Sequence, residues 1–196
     1  MNFGQEEKPN LELLKFKPTK EFMYDIAQVM CHTLLTSLGE HRANIGHARD
    51  ELRNGNIEKA KDYLQKADAS IYRNDGTVLT PLALIFKDPL KIMERHDAAN
   101  KLSRLVENTA TGDVAIEQAA KTEIKQAIIS HVTSRLEQEF KAIEDGHKHI
   151  MQLSSENTEL EVLKNEIEKF LRLTTTFQDN AIVVTNEFVM FAKNYV

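Results

Sequence analysis

Two histidines and three acids fall within residues 37–52, SLGEHRANIGHARDEL, a stretch with helical spacing. Imidazole and carboxylate one helical turn apart are ordinary ligands for a metal held inside a helical bundle. His41 and His47 are six positions apart, about 120° around a helix, so an ion on one face cannot take both. His47 and Glu51, four apart, share a face. A second acid–histidine pair occurs in EDGH, residues 144–147, where Glu144 and His147 are three apart. A metal site would therefore draw His47, Glu51, Glu144 and His147 from separate helices. The competing expectation is structural, with His41 and His147 as hydrogen-bonded core or rim residues and His47 solvated.

The Glu-x-x-His spacing of EDGH resembles half of the ferritin-like arrangement, which repeats that motif on two helices; here it occurs once. Histidine phosphotransfer bundles expose a histidine with a lysine and a small residue close behind. ERHDAANKLSRL offers His96 and Lys101, but the lysine comes late and no glycine follows. Residues 51–67, ELRNGNIEKAKDYLQKA, resemble the middle of a tetratricopeptide repeat, with Gly55, Ala60, Leu64 and Ala67 at that family's small and packing positions. Tyr72 stands where the closing proline would be, and no neighbouring copy follows, so an ordinary helical hairpin is expected. No phosphate-cradling glycine loop or nucleophile elbow occurs. Cys31 falls on an apolar stripe, where inert packing is expected, and the adjacent His32 points about 100° away.

The elements that must position these groups read as long helices. Only seven glycines and four prolines interrupt 196 residues. Residues 1–18 read as an extended arm whose LELLKF could pin it to the bundle, leaving 19–196 as a single helical domain. Thr19 is placed to cap a helix reaching about Asn54, with a stripe of Tyr24, Ala27, Cys31, Leu34, Leu38, His41, Ile45, Ala48 and Leu52. Gly55 suits the left-handed position beyond its end, and Asn56 can cap the next helix, whose stripe is Ile57, Ala60, Leu64, Ala67 and Ile71. Thr80-Pro81 and Asp88-Pro89 each put a capping residue before a proline. The first opens a short helix through Phe86, the second one to about Thr109 with Ile92, Ala99, Leu102 and Val106 inward.

Residues 113–196 then form a long hairpin. Asp113 opens its first arm, whose later stripe is Ile129, Val132, Leu136, Phe140, Ile143, His147 and Ile150. After LSSENTELE, Thr158 and Glu161 have capping-box spacing. The last helix shows steps of three and four from Leu160 through Leu163, Ile167, Phe170, Thr174, Phe177, Ala181, Val184, Phe188 and Phe191 to Tyr195. That period implies coiled-coil-like packing and favours helix over strand in the β-branched LRLTTTF and AIVVTN. The fold expected is all-α: an elongated, mainly antiparallel bundle of four or five principal helices.

A formal charge of −5 and a pI near 5.8, with no basic cluster, argue against a nucleic-acid binder. Much of the acidity lies in residues 137–168, with nine Asp or Glu against three Lys. Glu144, Asp145, Glu156, Glu159 and Glu161 could gather near the hairpin tip and meet a basic partner, or simply solvate it. Phe188, Phe191 and Tyr195 are candidate partner anchors, as the last helix also carries Leu171, Leu173, Ile182, Val183, Val189 and Met190 beside its main stripe. One cysteine, no signal-like N-terminus and no membrane-length apolar run lead to a cytoplasmic expectation, compatible with signal-independent export. The function expected is a non-enzymatic protein–protein interaction module without a cofactor, an adaptor or chaperone-like subunit of a multiprotein machine such as a bacterial secretion system. Its partner would carry a basic patch or an amphipathic helix. The alternatives are a ferritin-like metal-binding enzyme and a homo-oligomeric coiled-coil scaffold.

Overall fold

A computed structural model describes residues 18–71, 80–95, 114–156 and 158–196, with the backbone alone for 93–95 and 114–117. The arm through residue 17, Tyr72, the His96 and Lys101 pair, the stripe residues Ala99, Leu102 and Val106, and the cap at Asp113 lie outside these residues. The described chain folds as an all-α bundle, with no strand among the described residues. Its elements are α1 (Lys20–Arg53), α2 (Ile57–Ile71), α3 (Pro81–Lys87), α4 (Pro89–Arg95), α5 (Val114–Ile128), a π turn (Ile129–Thr133), α6 (Ser134–Ser155) and α7 (Leu160–Lys193).

Local chemistry sets most boundaries. Thr19 is extended, and its Oγ1 accepts from the Phe22 N–H at 3.2 Å, satisfying a donor that the first turn of α1 leaves open. Gly55 ends α1 at φ +80°, the left-handed region a side chain resists. Thr80 does two jobs: its Oγ1 accepts from Ala83 N–H at 3.2 Å and donates to the carbonyl of Ile71 at the end of α2. The expected Thr158–Glu161 capping box does not form. Glu159 occupies the cap position of α7, and its side chain makes no cap hydrogen bond.

α1 and α7, each 34 residues and roughly 50 Å long, lie antiparallel along one another. Contacts mark the register from end to end: Lys193 over the Tyr24 ring, Cys31 Sγ–H to the Thr185 carbonyl, Arg42 to Gln178, and Arg53 to Glu168. On its other side α7 runs antiparallel to α6, through Glu166 with His149, Asn180 with Glu139, and Glu187 with Arg135. α7 is thus an inner helix of its own bundle. Leu163, Ile167, Phe170, Phe177, Val184 and Phe188 are its buried large side chains. Fully burying each such side chain contributes about 1.5–3 kcal/mol.

The β-branched segments stay helical under the packing of their buried face, and their threonine hydroxyls are satisfied within the helix. Thr174 Oγ1 donates to Phe170 O at 2.7 Å, Thr175 to Leu171 O and Thr185 to Ile182 O. A threonine satisfied this way can lie in the core, as Thr174 and Thr185 do.

The π turn departs from the expected stripe. Ile128 is fully buried there and Ile129 only half-buried. Buried positions Ala120, Ile124, Ile128, Val132, Leu136 and Phe140 step by four, more than the 3.6 residues of an α turn. One widened turn, marked by Ser134 N–H donating to Ile129 O, takes up part of that drift and keeps both halves facing α7.

Candidate functional site

The histidines lead to a closed polar layer rather than a metal centre. His41, from the apolar stripe of α1, is fully buried. Its Nδ1 lies 3.2 Å from the Ala67 carbonyl, which only accepts, so that nitrogen carries the proton and donates. Ser70 Oγ, 3.3 Å from the same nitrogen, donates to the Ala67 carbonyl at 2.6 Å. His41 Nε2 is left as a buried lone pair without a partner. Burial and the neighbouring His147 hold the His41 pKa down at about 3, against the weaker raising effects of the Ala67 carbonyl and Asp68.

His147, 3% exposed, places Nε2 3.1 Å from Asp68 Oδ1 of α2. The approach is close enough for an ion-pair contact but lacks hydrogen-bond alignment, and Nδ1 has no partner either. The two imidazoles meet edge to face at 5.7 Å, and the Phe170 ring packs against both at 5.6 and 5.8 Å. Gly146 is what admits that ring, since a Cβ there would stand 2.8 Å from two Phe170 carbons. In EDGH, then, the glycine seats an aromatic ring and the histidine faces α2.

The four residues of the metal reading are not brought together. His47 is exposed and lies against Tyr63, ring centres 5.0 Å apart. Glu51 accepts from the Asn56 amide at 2.7 Å. Glu144 turns towards Lys87 of α3, and His147 towards Asp68. Among the described residues no three His, Cys, Asp or Glu side chains converge as ligands. The physical reason is helical phase: the three-residue step from Glu144 to His147 spans about 300°, and here Glu144 falls at the rim while His147 enters the core.

Glu144 instead borders a groove of about 490 Å³ between α3 and α6, shared with Phe86, Lys87, Phe140, Lys141 and Lys148. Burial raises the Glu144 pKa, against the lowering effect of Lys148. Burial also lowers that of Lys87, helped by Lys148. Both shifts oppose the attraction expected of a pair 3.3 Å apart; the contact is not aligned as a hydrogen bond, so desolvation prevails. Phe86 stacks flat on Phe140 at 4.1 Å beside the pair. The hydroxyls on this groove, Thr133 and Ser134, donate to carbonyls one turn back, Ile129 and Ser130, which engages them in the helix rather than beside a base.

The acidic residues do not form one tip. Glu144 and Asp145 sit roughly 15–18 Å along α6 from Glu156. Asp145 pairs with Lys148, Glu161 with Lys164, and Glu156 accepts from Gln152. The cleft at the tip, about 590 Å³, mixes Glu58 and Glu156 with Lys59 and Lys61.

The aromatic candidates turn inward. Phe188 is fully buried, so it cannot serve as an exposed anchor. Phe191 is half-buried and stacks on His131 of the π turn at 3.9 Å. Tyr195 meets Phe191 edge-on and donates to Glu123 of α5 at 3.1 Å. Burial, then Glu123, push the Tyr195 hydroxyl up to about 12. Cys31 is likewise inert, its thiol pushed up to about 11 by burial.

What α7 does leave outside is part of the second apolar set, since Leu171 and Leu173 pack against the core. Ile182, Val183 and Met190 are 42%, 53% and 55% exposed, with half-buried Val189 beside them. Asp179, Asn186 and Lys193 lie exposed on the same face. No described helix is long and apolar enough to cross a membrane. Comparison with protein-family models, curated proteins and solved structures returned no match to this chain.

Proposed function

We propose that this chain is a non-enzymatic protein–protein interaction module that presents the outer face of α7 to another polypeptide. The observation that carries the reading is the apolar strip Ile182, Val183 and Met190, left in water although α7 already fills the core with its opposite face. Large apolar side chains grouped on one rigid face are the usual core of a docking surface. Placement on a helix held on two sides by α1 and α6 supplies a preformed surface, which lowers the ordering cost of association. The adaptor or chaperone-like role in a multiprotein machine, and a cytoplasmic setting, fit this reading and belong to the same proposal.

The test is site-specific photo-crosslinking in native lysate. A photoreactive residue at Val183 is expected to yield one discrete adduct, lost when Met190→Glu is added. The same probe at exposed Gln65 on α2 is expected to yield none. Equal labelling at both positions, or an adduct indifferent to Met190→Glu, would overturn the reading.

A further inference from the structure

The outer face of α7 has a symmetry that identifies one occupant. Its positions are Asp179, Ile182, Val183, Asn186, Val189, Met190 and Lys193. At 100° per residue all seven lie within about 60° of the direction of Asn186. Their spacing reads the same from either end, and so does their chemistry. A second helix laid antiparallel about a two-fold axis through Asn186 sets Ile182 against Met190, Val183 against Val189, and Asn186 against itself. The same operation sets Asp179 of each copy against Lys193 of the other.

We propose that the occupant of this face is a second copy of the chain, in an isologous antiparallel dimer with Asn186 on the two-fold axis. The inference rests on the reading of α7 as a docking face and adds the identity of the partner. Charge complementarity selects the arrangement. Asp179 makes no ion pair within its own chain among the described residues, and Lys193 only overhangs the Tyr24 ring at 5.7 Å. A parallel pairing in register would place like charges together at both ends. A lone asparagine within an apolar seam fixes register because a shifted partner leaves its amide unpaired. The two-fold arrangement gives each Asn186 the other's amide, which both donates and accepts.

The geometry allows a direct test by disulfide. Helix axes about 8–10 Å apart, less a Cα radius of about 2.3 Å on each side, leave roughly 3.5–5.5 Å between facing Cα atoms. The upper part of that range is within disulfide reach. The native Cys31 is buried and does not compete. Asn186→Cys is expected to crosslink into a dimer on mild oxidation, whereas Asp62→Cys on the exposed face of α2 is not. By sedimentation, the wild type is expected to associate with concentration. Asp179→Lys should weaken association about tenfold, since two ion pairs per dimer become repulsive, and adding Lys193→Asp should restore it. Circular dichroism shows that each surface variant is folded.

Association with a crosslink at position 186 and rescue by the double reversal establishes the proposal. A dimer without that crosslink, or a reversal that fails to rescue, overturns it. A monomer at all concentrations overturns it too, and a heterologous adduct at Val183 would then leave the docking reading standing without self-pairing.

Discussion

Two regions of this bundle invert the usual placement of side chains, and in opposite senses. Around His41 the interior holds imidazoles and a hydroxyl, with a carboxylate at its edge. Around Asn186 the surface holds a band of apolar side chains. The inner inversion is settled only in part within the chain: Ala67 and Ser70 of α2 meet His41 Nδ1 and Asp68 approaches His147 Nε2, while His41 Nε2 and both His147 nitrogens lack a hydrogen bond. The outer one is met by nothing among the described residues. Buried polarity that finds partners on α2 ties that helix to α1 and α6; exposed apolarity without a partner is satisfied only from outside.

If that contrast is right, changes at the inner region cost folding and changes at the outer one cost association. Phe188→Ala, which removes a fully buried ring once expected to be an anchor, should lower unfolding free energy by about 3–5 kcal/mol in urea titration. Acid should act next. The unfolded chain accepts a proton on His41 near pH 6.5, whereas the folded chain refuses it until about pH 3. Protons therefore favour unfolding. The stability is fully present above pH 6.5 and lost as pH falls from there towards 3, by a few kcal/mol at the bottom of the range. His41→Leu should flatten that part of the stability–pH curve; a curve as steep as wild type would show that another group governs it.

Gly146→Ala sharpens the comparison at the layer's edge. The new methyl forces the Phe170 ring away from both imidazoles, with an expected loss of about 1–3 kcal/mol and a lower midpoint in thermal melts. The smallest effect on stability should come from Met190→Glu, within about 0.5 kcal/mol of wild type, because the side chain already stands in water.

The helices themselves were legible because burial imposes a period. The stripe through Leu34, Leu38, His41 and Ile45 is buried as its spacing predicts, as are Leu163 to Phe188 on α7. The π turn was not legible, since a chain stepping by four can drift, kink or widen, and only α7 decides which. The metal reading failed for a related reason. Spacing along α6 placed Glu144 near His147, but the side chains that meet them, Lys87 and Asp68, come from helices whose approach no local pattern records. The role of Gly146 was hidden likewise, because the ring it admits lies on the neighbouring helix. The apolar set from Ile182 to Met190 was visible as an excess over one stripe. Phe188 already stood on the main stripe, but only packing showed that this stripe is the buried side, so that Phe188 is no exposed anchor.

The most direct test of the central claim pairs two readouts on Met190→Glu, its thermal midpoint and its association by sedimentation or crosslinking. The account predicts an unchanged midpoint with association lost. A midpoint lowered as a core substitution would lower it, or association equal to wild type, would contradict it.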